Sequence, residues 1–115
     1  MIKSSWVLVV TADVDADIEA DWNEWYDRTH APDALACPGV RHCTRLATEE
    51  PARLHGLEAR PGEKGRAYVA IYEVDGPHVQ ATREFMAMRG WDRFAGKVRS
   101  STRCYPVRGQ KFPPG

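Results

Sequence analysis

The stretch Asp21-Trp22-Asn23-Glu24-Trp25-Tyr26-Asp27-Arg28-Thr29-His30-Ala31-Pro32 brings two Trp, one Tyr and one His together on one predicted helix. At about 100° per residue, Ile18, Trp22, Trp25 and Thr29 share a narrow stripe, and Glu19, Asn23, Tyr26 and His30 form a second stripe beside it. The first stripe is what a helix buries against a sheet. The second lies at the edge of that face, where a side chain is half-sheltered and can reach a cavity. His30 is therefore the first candidate catalytic residue, because an imidazole takes or gives a proton near neutral pH. Its place at the predicted helix end favours the charged form through the dipole, which suits an acid more than a base. The structural alternative is a His that caps the last helical carbonyls or pairs with Asp27.

Glu73 is the second candidate catalytic residue. Strand alternation groups it with Val69 and Ile71 on an apolar side, where a carboxylate must be paired, hydrogen-bonded or protonated. If that side faces the helices, His30 or Arg45 is its natural partner. A structural salt bridge at the strand end is the alternative. Arg45 shares its side of a strand with Cys43 and Ala47. Its planar fork suits a carboxylate or an enolate oxygen, and a pair with Glu73 or a bridge between subunits competes with that role. Arg45, Tyr26 and Asn23 form the candidate substrate-binding set. Trp22, Trp25, Phe85 and Trp91, with Met86, either wall an apolar pocket or serve as ordinary core. Tyr68 and Tyr72 fall on the side of the strand away from Glu73, with His42 near, and are assigned to a dimer interface, where Tyr is common. Cys43 reads as a small packing residue rather than a nucleophile.

The elements that must position these groups follow from the hydrophobic pattern. Residues 5–12 read as a buried first strand. Asp13 or Asp15 can cap a helix with an acidic first turn. That helix runs to about Thr29 and is interrupted at His30-Ala31-Pro32, since the residue before a proline avoids the α region. A short helical piece over 33–36 precedes the turn Cys37-Pro38-Gly39. Residues 40–48 form a second strand. The Gly- and Pro-rich segment 49–65 is a long surface connection. Residues 66–74 form a third strand. Pro77 opens a second helix that Gly90 stops. Residues 91–96 make a short helical piece or turn, and 98–107 a fourth strand. A single domain thus spans 1–108, followed by a C-terminal arm or disordered tail over 109–115. The order β-α-β-β-α-β is the split, ferredoxin-like arrangement: an α+β fold with a four-stranded antiparallel sheet and two helices on one face. The third strand is apolar on both sides, which a half-solvated sheet is not. The second face is therefore expected to meet a second copy of the chain.

Composition excludes several classes. At 115 residues the chain is one domain, long enough for a core without disulfide or metal support. Sixteen basic residues balance sixteen acidic ones, so there is no electrostatic footprint for nucleic acid. The apolar run Trp6-Val7-Leu8-Val9-Val10 is too short for a membrane span or a signal core. Three cysteines without a CxxC pattern point to reduced thiols and a cytoplasmic location. No glycine-rich loop follows a strand, no GxSxG appears, and His30, His42, His55 and His78 lack metal-pair spacing. No metal and no cofactor is expected.

Trp25-Tyr26-Asp27, His30, Pro32, the turn Pro38-Gly39-Val40, Arg45 and the strand Tyr68-Val69-Ala70-Ile71-Tyr72-Glu73 resemble the EthD-like, antibiotic-biosynthesis-monooxygenase-like branch of the dimeric α/β-barrel superfamily. The resemblance covers about residues 5–105. It implies a homodimer whose sheets close a barrel, with one pocket per subunit between sheet and helices. Members include cofactor-independent monooxygenases, muconolactone isomerases, polyketide cyclases and stress-responsive proteins, so the resemblance leaves the reaction open. Some relatives bind haem, which leaves a single-His haem site open too. The expected activity is a cofactor-independent enzyme acting on a small aromatic or polyketide-like compound by proton transfer: an isomerase, cyclase, dehydratase or lyase, or a monooxygenase using O₂. His30 would be the acid/base, Glu73 its partner, and Arg45 and Tyr26 would hold a carbonyl or carboxylate. The alternative is a non-catalytic barrel that holds a hydrophobic ligand.

Overall fold

The computed structural model describes residues 1–55 and 65–114. Four strands form one antiparallel sheet: β1 (Trp6–Val14), β2 (Val40–Ala47), β3 (Ala67–Val74) and β4 (Val98–Pro106). Their spatial order is β2-β3-β1-β4. The helical elements are α1 (Glu19–Trp25), a π turn (Tyr26–His30), α2 (Ala31–Leu35) and α3 (Arg83–Met88). This is the ferredoxin-like α+β arrangement that the sequence pattern predicts. Among the described residues no helix is long and apolar enough to cross a membrane.

The core lies between the helices and one face of the sheet. Leu8, Ala12 and Val14 of β1 and Tyr68, Ala70, Tyr72 and Val74 of β3 meet Trp22, Tyr26 and Ala34 from the helical side. The register pairs Leu8 with Tyr72 and Val10 with Ala70 across β1 and β3, which fixes which side chains share that face. Val9, Val69, Ile71 and Glu73 therefore occupy the opposite face, which the helices do not cover. Leu46 on β2 and Tyr105 on β4 point the same way and stay exposed, at 50% and 46%.

Several boundaries differ from expectation for local reasons. The first helix does not stop at His30. Trp25, Tyr26, His30 and Ala31 all hold right-handed helical dihedrals, and the chain runs on into α2 through Pro32. The Ala31 N–H donates to Tyr26 O, five residues back, so the π turn takes up the irregularity next to the proline. The second helix is broken where one was expected. A 3₁₀ turn covers Pro77–Ala81, Thr82 is extended, and only Arg83–Met88 is α-helical. Thr82 Oγ1 caps α3 by accepting from Phe85 N at 3.2 Å. Neither Asp13 nor Asp15 caps a helix through its side chain. The buried Asp13 carboxylate instead accepts the Leu54 and His55 N–H groups at 2.7 and 2.8 Å and pins the start of the long connection. The rest of that connection, 56–64, lies outside the described residues. Residues 107–114 form no helix or strand, yet Gln110 ties them to the N-terminus, accepting from Ile2 N and donating to Ile2 O. The Pro38-Gly39 turn forms as expected. Gly39 sits at φ +83°, and a Cβ there would come 2.7 Å from Val79 Cγ2, so both conformation and space require glycine.

Candidate active site

The π turn selects which side chains face the sheet. It closes over five residues rather than four, which keeps every fourth position on one line. Trp22, Tyr26, His30 and Ala34 are the buried residues of this helical stretch. Trp25 is only half-buried and Thr29 is exposed. The inward stripe thus takes members of both stripes drawn from an ideal helix. π turns commonly occur at functional sites for this reason: they re-aim a side chain without ending the helix.

His30 is 9% exposed and enclosed by rings. Trp25 stacks on it at 4.6 Å and 22°, Tyr26 meets it edge-on at 4.9 Å, and Trp91 lies 5.4 Å away. Neither ring nitrogen has a hydrogen-bond partner among the described residues, and the imidazole lines a cavity. Burial among rings disfavours the imidazolium and pulls the pKa down to about 4, against the smaller opposing pull of Asp33. The group is therefore a neutral imidazole at pH 7. This reverses the expectation of a charged His acting as an acid. The dipole argument needed a helix terminus, and the helix continues past His30.

The cavity is about 150 Å³, a size that holds a benzene-scale ring. Its apolar walls are Leu8, Val10, Ala34, Phe85, Met88 and Trp91. Its polar groups are His30, Tyr72, Gln80, Arg89, Ser100 and Thr102. Ser100 and Thr102 sit on the helix-facing side of β4, opposite Ala12 and Val10, and are exposed, so the cavity opens between α3 and β4. Among the described residues, no group of three or more His, Cys, Asp or Glu side chains is placed to hold a metal ion.

Of the candidate residues, His30, Phe85 and Trp91 line this cavity. Trp25 backs His30 from behind. Tyr26 reaches it indirectly, through a 2.6 Å hydrogen bond between its hydroxyl and that of Tyr72. Burial pushes the Tyr26 phenol up to about 12 and the Tyr72 phenol higher still, so both keep their protons at neutral pH. Arg45, Asn23 and Trp22 do not line the cavity. Arg45 donates to Asp27 Oδ1 at 2.5 Å and Asn23 Oδ1 at 2.8 Å, with its guanidinium 4.1 Å above the Tyr26 ring. It clamps the helix to β2 behind the site. Trp22 Nε1 is buried without a hydrogen-bond partner among the described residues, beside a pocket of about 10 Å³ that Arg45 and Tyr68 also line.

Two assignments are corrected. Tyr68 and Tyr72 do not form an outer interface. They point into the core, where Tyr68 OH accepts from Asn23 Nδ2 at 2.9 Å and Tyr72 pairs with Tyr26. Glu73, on the other parity of β3, consequently faces away from His30 and Arg45, and the expected network does not form. Its carboxylate is sheltered as anticipated, at 7% exposure, but by different partners. It accepts the Lys3 and Ser4 N–H groups at 2.7 and 3.0 Å, with His42 Nδ1 at 3.5 Å. The Lys3 N–H chiefly holds its pKa below the usual carboxylate range. Glu73→Leu should therefore free residues 1–4, read as faster amide exchange at Lys3 and Ser4, and leave chemistry at the cavity within about twofold, since charge-assisted bonds to backbone act locally. A drop of two orders of magnitude in rate would return Glu73 to the site. Tyr72, Gln80, Arg89, Ser100 and Thr102 were missed by sequence reasoning. The polar run Ser100-Ser101-Thr102 inside an otherwise clear strand was the available signal.

No family model matches the chain, and no curated protein matches it. Solved structures do. SnoaB, a cofactor-independent oxygenase from Streptomyces nogalater, is 16% identical over 96% of this chain and 100% of its own, with a TM-score of 0.55. An ethyl tert-butyl ether d (EthD) family protein from Bacillus halodurans is 24% identical over 93% of this chain and 99% of its own, with a TM-score of 0.55. These neighbours belong to the ferredoxin-like dimeric α/β-barrel superfamily. This chain has the ferredoxin-like fold. A monooxygenase from the gene ActVA-Orf6 of Streptomyces coelicolor, solved with nanaomycin D, shares it as well, at 14% identity over 96% of this chain and 94% of its own, with a TM-score of 0.57.

Proposed function

We propose that the protein is a cofactor-independent enzyme in which neutral His30 takes a proton from a small aromatic or polyketide-like compound held in the cavity. The observation that carries this is a buried imidazole at the wall of a cavity with aromatic, aliphatic and polar lining, neither of its nitrogens hydrogen-bonded among the described residues; its burial disfavours the charged form. The names of SnoaB and the ActVA-Orf6 monooxygenase support small-molecule chemistry in this fold without fixing the reaction.

The low basicity of His30 narrows the substrate. Each unit by which a carbon acid exceeds the base costs about 1.36 kcal/mol in the proton transfer. A gap of about 5 units costs roughly 7 kcal/mol and leaves the step fast, whereas about 15 units costs roughly 20 kcal/mol and allows one event in minutes. A base with a pKa near 4 thus serves a C–H or O–H already acidified by a second carbonyl or by aromaticity on ionisation. The protonated Tyr72 hydroxyl at the same cavity is a donor for the oxygen that gains charge. The anion then leads to isomerisation, cyclisation, elimination or, with O₂ as co-reactant, oxygenation.

The test is deuterium exchange at the central carbon of benzoylacetone, an aryl β-diketone, followed by NMR. Catalysed exchange that depends on His30 supports the reading. Ligand binding without exchange would instead make the chain a hydrophobic-ligand carrier. We also propose that two copies associate through the uncovered sheet face, where Val9, Val69, Ile71 and Leu46 lie without cover from the helices. Sedimentation equilibrium should give twice the chain mass at micromolar concentration. A stable monomer would refute the association.

A further inference from the structure

Among the described residues, the lining of the cavity carries a single formal charge, that of Arg89. Arg89 lines its mouth, at the end of α3, and among the described residues its side chain has no ion pair and no hydrogen bond. Its backbone N–H is used, closing on Phe85 O. Among the described residues no Asp or Glu lines the cavity, although acidic and basic residues are equal in number over the chain. Asp33, on α2, is exposed and lies outside the lining.

The remaining polar groups add donors. Trp91 Nε1 donates to Ser100 Oγ at 2.8 Å, which leaves the Ser100 O–H free to donate elsewhere. The Thr102 hydroxyl and the Gln80 amide also border the space. Acceptors are present too, a nitrogen of His30 and the Gln80 amide oxygen, but both are neutral and neither is a carboxylate. A lining with a lone cation, spare O–H and N–H donors and no carboxylate matches a ligand rich in acceptors and bearing negative charge.

We propose that the cavity takes a planar aromatic anion, its ring against Phe85, Met88 and Trp91 and its carboxylate or phenolate oxygens on Arg89. This rests on reading the cavity as the ligand site. Arg89 is then a specificity-determining residue that selects the charged member of a pair of otherwise similar ligands. The ring provides non-polar contact to either member, and only the anion gains the guanidinium.

Benzoate and benzamide have nearly the same shape and differ in charge. Binding of each to the full chain can be followed through the indole N–H signals of Trp91 and Trp25 in an NMR titration. Benzoate should bind about five- to tenfold more tightly than benzamide, between the effect of an exposed ion pair and that of a sheltered charge-assisted hydrogen bond. Arg89→Gln should remove that preference and leave benzamide binding unchanged. Arg83→Gln removes the same charge from the start of α3, outside the lining, and should leave the preference in place. Equal binding of the two ligands by the wild-type chain would overturn the proposal. So would a preference that survives Arg89→Gln, or one that Arg83→Gln abolishes equally. If neither ligand moves the Trp91 signal, the cavity itself is not a ligand site, and the function proposed above falls with it.

Discussion

Replacing His30 by Gln should lower the rate of catalysed exchange by two to four orders of magnitude, the contribution of one positioned general base. Gln keeps most of the imidazole volume, so the rings of Trp25, Tyr26 and Trp91 retain a filler and the fold should survive. The structural cost should be near 1 kcal/mol, the scale of one lost ring contact or hydrogen bond. The two readouts separate the roles. A catalytic His30 gives a large loss of rate with a small fall in melting temperature. A purely structural His30 gives the reverse. The pH profile adds a sign. The active form is the free base, so the wild-type rate should rise as pH climbs through about 4 and stay flat through neutrality. An acid role would give a rate that falls over the same range. A His30→Gln variant within about threefold of wild type would overturn the assignment of His30 as the base.

What the sequence showed and what it hid divide along a physical line. The β-α-β-β-α-β order was legible because short apolar runs rich in β-branched and aromatic residues, such as 66–74, are bounded by Gly and Pro, and Pro38-Gly39 could only be a turn. Alternation in β3 correctly grouped Tyr68 with Tyr72 and Val69 with Glu73. It could not say which group faces the helices, because both are largely apolar. What decides the matter is the pair of hydroxyl partners, Asn23 and Tyr26, which lie on another element. Assigning the wrong parity moved Glu73 into the site and Tyr72 out of it. The π turn was invisible for a different reason. Pro32 disfavours a helical residue before it, and the wider turn that absorbs the conflict leaves no residue-type signature. His30 was singled out by its place on the helix edge, and the structure puts it at a cavity wall. Its protonation state was misread because the helix runs on past it, and because the ring of Trp91 that helps to bury it comes from far along the chain. The cavity's polar rim was missed because Gln80, Arg89 and Thr102 are unremarkable until β4 and α3 meet around them.

The same burial that keeps His30 a free base should make the protein sensitive to acid. An unfolded His binds its proton with a pKa of about 6.5, whereas the folded group sits at about 4. Below 6.5 the unfolded chain takes up a proton that the folded chain refuses, so protonation favours unfolding. The stability at stake is fully present above about pH 6.5. It is lost progressively as pH falls towards 4, and no further below that. A gap of about 2.5 units corresponds to roughly 3 kcal/mol, a large share of the 5–15 kcal/mol that a domain of this size holds in total. The carboxylates whose pKa values are lowered, Glu73, Asp75 and Asp17, act in a different window. Each stabilises the fold above its ordinary value of 4.5 or 3.8 and loses that contribution only as pH falls through its depressed folded value. Between about pH 6.5 and 4.5 the His30 effect should therefore dominate these. Urea unfolding of wild type and His30→Gln at about pH 7 and about pH 4.5 tests it. The wild type should lose roughly 2–3 kcal/mol more than the variant across that interval. Parallel loss in the two proteins would mean that His30 is protonated in the folded state near its ordinary pKa, and a base that is charged at the onset of acidity could not carry the chemistry proposed for it.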